Sequence, residues 1–147
     1  PMDTAFKRRW NFEYLGINDN EDEIKGIGKL TLAGTNEPIE WNRLRKAINA
    51  KMSSGDFKIN EDKLMGPFFL SKKVIASDEN GEIIDREKFK SKVIMYLYED
   101  AVKQGKHRFF DGCPDTGKYS SVCDAFKTMG LAIFGPTFKE SFYDKED

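Results

Sequence analysis

A chain of 147 residues with 24 Lys+Arg against 25 Asp+Glu carries a formal charge of −1. No global field therefore draws it to nucleic acid or to an anionic membrane, and any such contact has to come from a local patch. The length is that of one domain, or of a small domain with a piece of another. No run approaches the roughly 18 to 20 apolar residues that cross a bilayer, and the N-terminus has no apolar signal-peptide core, so a cytoplasmic protein with no membrane partner is expected.

In chain order, Asp3 to Arg9 suits the end of a short helix. Trp10, Phe12 and Tyr14 then alternate with polar residues at the period of a half-buried strand, which Gly16 ends. The run from Asn18 to Glu23 is an acidic turn, and Gly26, Gly28 and Gly34 surround the short apolar piece Leu30 to Ala33. Residues 1–17 thus read as the close of one unit and 18–37 as a hinge. Residues 38–138 read as a helical domain and 139–147 as a charged tail.

Within the helical domain, Trp41, Leu44, Ile48 and Met52 recur at helical spacing. They predict an amphipathic helix over 38–53, with Arg43, Arg45 and Lys46 on other faces and Ser53-Ser54-Gly55 as its stop. From Ile59 to Leu70 the proline of Gly66-Pro67-Phe68-Phe69 disfavours a continuous helix, so an ordered loop with a buried aromatic pair is expected. Asn80-Gly81 between Val74-Ile75 and Ile83-Ile84 signals a small hairpin. Asp85 then suits the N-cap of a helix running to about Gln104 and ended by Gly105. A last helix, roughly Ser120 to Met129, presents Val122, Phe126 and Met129 on one face before Gly130. The fold class that follows is mainly α with a small β element, and 12 Phe, 5 Tyr and 2 Trp supply the core.

Two segments imitate a nucleotide site. Gly112-Cys113-Pro114-Asp115-Thr116-Gly117-Lys118 fits G-x-x-x-x-G-K, in which backbone N–H groups surround phosphates and the lysine reaches the terminal ones. Tyr119, however, stands where a Ser or Thr hydroxyl would bind magnesium. The run Val93 to Tyr98 ending in Glu99-Asp100 resembles a magnesium-holding strand, but it precedes the loop instead of following it. A buried helix carrying Val93, Tyr96 and Leu97 accounts for it. Cys113 and Cys123, with His107 nearby, have neither a zinc spacing nor a disulfide framework, and both read as reduced structural thiols with no metal.

Three segments carry a resemblance. Met2 to Phe12 (MDTAFKRRWNF), Asn60 to Phe69 (NEDKLMGPFF) and Lys92 to Asp100 (KVIMYLYED) resemble, in order and content, the McrB-type branch of AAA+ proteins. These are GTP- or ATP-driven motors of modification-dependent restriction systems. The resemblance implies the arginine-finger helix and last strand of an AAA+ core, followed by its helical lid. It makes Arg8 and Arg9 the catalytic candidates. An arginine inserted across a subunit interface stabilises charge on the transferring phosphoryl group, worth roughly a thousandfold or more in rate. Either arginine suits that role, the other pairing within its own subunit, and both also suit surface cations at a helix C-terminus. The implied partners are neighbouring subunits of a homo-oligomeric ring and, through the parent protein, a nuclease and DNA. GTP or ATP with Mg would be bound by the parent, because the phosphate loop, its acidic strand and the sensor asparagine of the family are missing here. The chain is accordingly expected to be the C-terminal third of such a motor, with no cofactor and no hydrolysis of its own.

Two alternatives stand beside this. One is a self-standing protein- or nucleic-acid-binding module with a basic patch from Lys7, Arg8, Arg9, Lys103, Lys106 and Arg108. The other is a degenerate nucleotide binder at Gly112 to Lys118.

Overall fold

The structure, a computed structural model, describes residues 16–33, 38–54, 57, 59–75 and 86–138. The expected finger helix and strand of residues 1–17 fall almost wholly outside these residues, as does the tail 139–147. What is described is mostly helical, with one two-stranded antiparallel sheet.

The sheet joins β1 (Lys29–Leu30) to β2 (Ile39–Glu40), with Lys29 opposite Glu40 and Leu30 opposite Ile39. The Trp41 N–H extends the ladder by donating to the Gly28 carbonyl at 2.9 Å. Gly28 has φ +76°, and a Cβ there would sit 2.6 Å from Ile75 Cγ2, so both conformation and space require glycine. This pairing corrects the start of the first long helix. Ile39 and Glu40, placed in it by periodicity, are held extended by β1, and the Glu40 carboxylate accepts a hydrogen bond from the Gly26 N–H.

Helix α1 (Trp41–Ser53) follows at once. Its apolar stripe Trp41, Leu44, Ile48 and Met52 is completely buried. The chain leaves the helix through Ser54, whose N–H and hydroxyl both donate to the Lys51 carbonyl, at 3.1 and 2.8 Å. The loop 59–70 is ordered, as expected, but its buried residues differ from expectation. Met65, Pro67 and Leu70 face inward, while Phe68 is exposed and Phe69 half-buried against the Tyr96 ring at 4.8 Å. The Trp41 indole N–H reaches the Pro67 carbonyl at 3.1 Å and fixes the turn.

The expected hairpin is not formed on its first arm. Val74 and Ile75 belong to the one-turn helix α2 (Lys72–Ile75), and their N–H groups both donate to the Ser71 carbonyl at 2.9 Å. The Asn80-Gly81 turn and the Asp85 cap lie outside the described residues. Helix α3 (Arg86–Phe89) continues through two π-helical stretches, Lys90–Ile94 and Leu97–Ala101. The wider turns keep Phe89, Val93, Leu97 and Ala101, four residues apart, on one buried face. Val102 ends this helix by bonding to the Leu97 carbonyl, and Gly105, at φ +77°, turns the chain into α4 (Lys106–Phe109).

Helix α5 (Tyr119–Met129) matches its expectation within one residue and stops at Gly130, whose φ is +59°. A Cβ at Gly130 would meet the Ala33 carbonyl oxygen at 2.3 Å, so the glycine lets the final 3-10 turn (Gly130–Phe134) pack against the connection after β1. Phe109, Phe110, Phe134 and Phe138 form a continuous set of ring contacts between 5.0 and 5.9 Å at this end of the core. Trp41, Phe89 and Phe126 form a second set at 5.5 to 6.1 Å.

Candidate functional site

Arg8 and Arg9 lie outside the described residues, as does Lys7. The remaining candidates can be placed. Lys103 and Arg108 are exposed and Lys106 is half-buried, with its ammonium 4.9 Å from the centre of the Tyr98 ring. The Arg108 guanidinium lies over the Phe57 ring at 5.6 Å. Lys106 and Arg108 thus sit against two different aromatic rings.

The segment Gly112 to Lys118 has the order of a phosphate loop but not its hydrogen bonding. The N–H groups of Gly112, Cys113 and Gly117 are already given to the Ile133 carbonyl, the Phe110 carbonyl and the Asp115 carboxylate, at 3.1, 2.9 and 2.9 Å. Phe109, before the loop, belongs to a helix and not to a strand. The Asp115 carboxylate also accepts from the Ser121 hydroxyl at 3.0 Å, in the first turn of α5. The Gly117 N–H, then Ser121, hold the Asp115 carboxyl below its ordinary pKa, so the loop carries its own anion beside the start of the helix. The run Val93 to Asp100 is helical; Val93 and Leu97 are fully buried, while Glu99 and Asp100 point to solvent.

Both cysteines are unbonded thiols, Cys123 buried and Cys113 half-buried. Burial, then the Asp111 charge, pushes the Cys113 thiol up to about 11, away from the range of a nucleophile. Among the described residues no group of three or more His, Cys, Asp or Glu side chains is arranged to hold a metal ion. No helix there is long and apolar enough to cross a membrane.

Two features of α1 were not expected. The first is Arg45, completely buried although placed by the sequence pattern on an outer face. Its guanidinium donates to Asn42 Oδ1 at 2.6 and 3.1 Å, to Asn18 Oδ1 at 2.8 Å and to the Met65 carbonyl at 3.1 Å. Glu21 lies 3.5 Å away. Burial lowers the pKa of Arg45 and the Glu21 charge opposes that shift. The available signal was its position four residues after Trp41 and three before Ile48, at the edge of the apolar stripe.

The second is a cleft of about 880 Å³ between α1 and the segments that carry the phenylalanine cluster. Its α1 wall is a stripe, Arg43, Lys46, Ala47, Ala50 and Lys51, at helical spacing and distinct from the buried stripe, with Ser54 just beyond the helix end. The facing wall carries Arg108 and Asp111 from the α4 region, with Phe57, Phe134 and Phe138 as aromatic surface. Lys51 reaches across: its ammonium donates to the Phe134 carbonyl at 2.6 Å, approaches Asp111 at 3.4 Å and stands 5.2 Å from the Phe109 ring. Its pKa is lowered by burial, against the pull of Asp111.

No protein-family model matches the chain. No solved structure gives a significant match. The chain is similar to a component, YdiS, of the type II restriction enzyme BsuMI of Bacillus subtilis (strain 168). The two are 41% identical over 105 residues, which are 70% of this chain and 27% of that protein. The homologue is therefore a restriction-system protein, and the chain spans just over a quarter of its length.

Proposed function

We propose that the chain serves in a restriction system, as the finger segment and helical lid of a McrB-type AAA+ NTPase. The observation that carries the restriction-system role is the 41% identity to the BsuMI component. The finer reading is supported by the Met2 to Trp10 segment and by the helical character of the domain after it. In this reading Arg8 or Arg9 extends to the nucleotide of the neighbouring subunit. Its guanidinium neutralises charge that builds on the phosphoryl oxygens, and the lid transmits nucleotide state to ring geometry. GTP or ATP with Mg would be held by residues of the longer protein, and a nuclease partner would act on DNA.

The test uses the longer protein from the same gene, assayed for GTP and ATP hydrolysis with Mg, alongside Arg8→Ala and Arg9→Ala. At least one variant is expected to lose about a thousandfold in kcat while still binding nucleotide and assembling. Full hydrolysis in both variants would overturn the arginine assignment. An absence of any hydrolysis by the longer protein would overturn the motor reading itself.

A further inference from the structure

We propose that the cleft beside α1 is a binding site for single-stranded nucleic acid, with phosphates against its cations and bases against its phenylalanines. The charge balance favours an anion. Among the described lining residues the cations Arg43, Lys46, Lys51 and Arg108 accompany one carboxylate, Asp111; Lys51 engages Asp111 and Lys46 also meets Glu21, so the local balance is positive by a smaller margin than the four cations alone. The arrangement is local, since the whole chain is near neutral.

The α1 wall has the form of a track. Its cations are separated by Ala47 and Ala50, whose small side chains leave depth between them, and the stripe from Arg43 to Lys51 runs about 12 Å along the helix. That length and a volume near 880 Å³ accommodate a few nucleotides of one strand. Lys46 keeps its Glu21 contact at 3.0 Å and is still exposed, so its ammonium serves both that ion pair and the cleft rim.

The aromatic surface decides between a nucleic acid and an acidic peptide. Phe57 and Phe138 are half-buried, each backed by another ring, Phe109 at 5.2 Å and Phe134 at 5.0 Å. Arg108 lies over the Phe57 ring at 5.6 Å, which places its charge against the face of that ring. Rings held rigidly among cations are the combination that binds single strands, because every base offers a face to stack while the phosphates meet the charges. A run of carboxylates would use only the cations. The proposal stands on the cleft alone and holds whether or not the chain works in a nucleotide-driven ring.

The experiment is a fluorescence-anisotropy titration of a labelled oligothymidylate with the 147-residue chain at several salt concentrations. Two variants act at exposed cleft positions: Ala50→Glu places a carboxylate on the track, and Arg108→Gln removes a cation. Lys103→Gln, outside the cleft, is the control, and thermal melts confirm that all three fold. Binding is expected to weaken with salt at a slope of about −2 in log K against log salt, as for roughly three phosphates. Each cleft variant should weaken it about tenfold while the control leaves it unchanged. No binding at low salt, or equal loss in the control, would overturn the proposal. Displacement of the oligonucleotide by polyglutamate at equal charge concentration would assign the cleft to an acidic protein segment instead.

Discussion

The side-chain amide of Asn49 pairs with the backbone of Met65 as a strand would: Oδ1 accepts from the Met65 N–H at 2.9 Å and Nδ2 donates to the Met65 carbonyl at 2.8 Å. Asn49 is buried, so both bonds form away from water. They fasten the 59–70 loop to α1, with Arg45 on the same carbonyl and Trp41 on Pro67. Asn49→Ala leaves the Met65 N–H without its partner while Arg45 still serves the carbonyl. A loss of about 2 to 4 kcal/mol is expected, combining an orphaned buried donor with a small void. Urea unfolding measures it, and a change below about 0.5 kcal/mol would mean the loop is held otherwise.

Glu21 anchors the other side of the same helix. It accepts from Asn42 at 2.9 Å and from Lys46 at 3.0 Å, and the Asn42 bond, then Lys46, depresses its pKa. A carboxylate whose folded pKa lies below its unfolded value contributes stability above the unfolded pKa, near about 4.3. That contribution fades as pH falls through the lower folded value. The chain is therefore expected to lose stability on acidification below about pH 5, with a smaller loss in Glu21→Gln. Denaturant midpoints at pH 7, 4 and 3 for both proteins check this; parallel curves would exclude Glu21 as a source.

The glycine of the apparent phosphate loop has a packing role that can be separated from phosphate binding. A Cβ on Gly112 would lie 1.7 Å from the Ala132 carbonyl oxygen, where the loop runs beside the final 3-10 turn. Gly112→Ala is expected to cost about 1 to 3 kcal/mol, because backbone must move to admit a methyl group. Lys118→Ala, at an exposed position, should change stability by less than about 0.5 kcal/mol. Calorimetric titration of the unsubstituted chain and of Lys118→Ala with GTP or ATP should give no heat; binding by the unsubstituted chain that is lost in the lysine variant would restore the phosphate loop.

The parts of this fold legible in the sequence are those set by local periodicity. The buried stripe of α1, the extent of α5 and its stop at Gly130 all follow from residues a few positions apart. What was misread depends on contacts between distant segments. Ile39 and Glu40 carry helical spacing but pair with β1. Val74 and Ile75 look like a hairpin arm but are drawn into a helical turn capped by Ser71. Arg45 reads as a surface cation, because acceptors from Asn18 and Met65 that make its burial tolerable lie 27 and 20 residues away. The cleft was half visible, as a second stripe of cations and alanines on α1. Its aromatic wall joins Phe134 and Phe138 to Phe57, which lies 77 residues before Phe134 in the chain.

Cys113 offers a chemical readout of the loop between α4 and α5. Its thiol is half-buried, its N–H is bonded to the Phe110 carbonyl at 2.9 Å, and burial with the nearby Asp111 charge raises its pKa to about 11. At pH 8 the thiolate fraction is then on the order of a thousandth, compared with about a quarter for a free cysteine. Alkylation by iodoacetamide at that pH should be slower than for a free thiol by about a hundredfold or more, since the thiolate is the reacting species. Asp111→Asn removes the lesser of the two causes and should quicken the reaction only modestly, while unfolding in urea should restore the full rate. Mass spectrometry of the Cys113 peptide against time separates these cases, and a native rate equal to that of the unfolded chain would show that the loop does not shield the thiol.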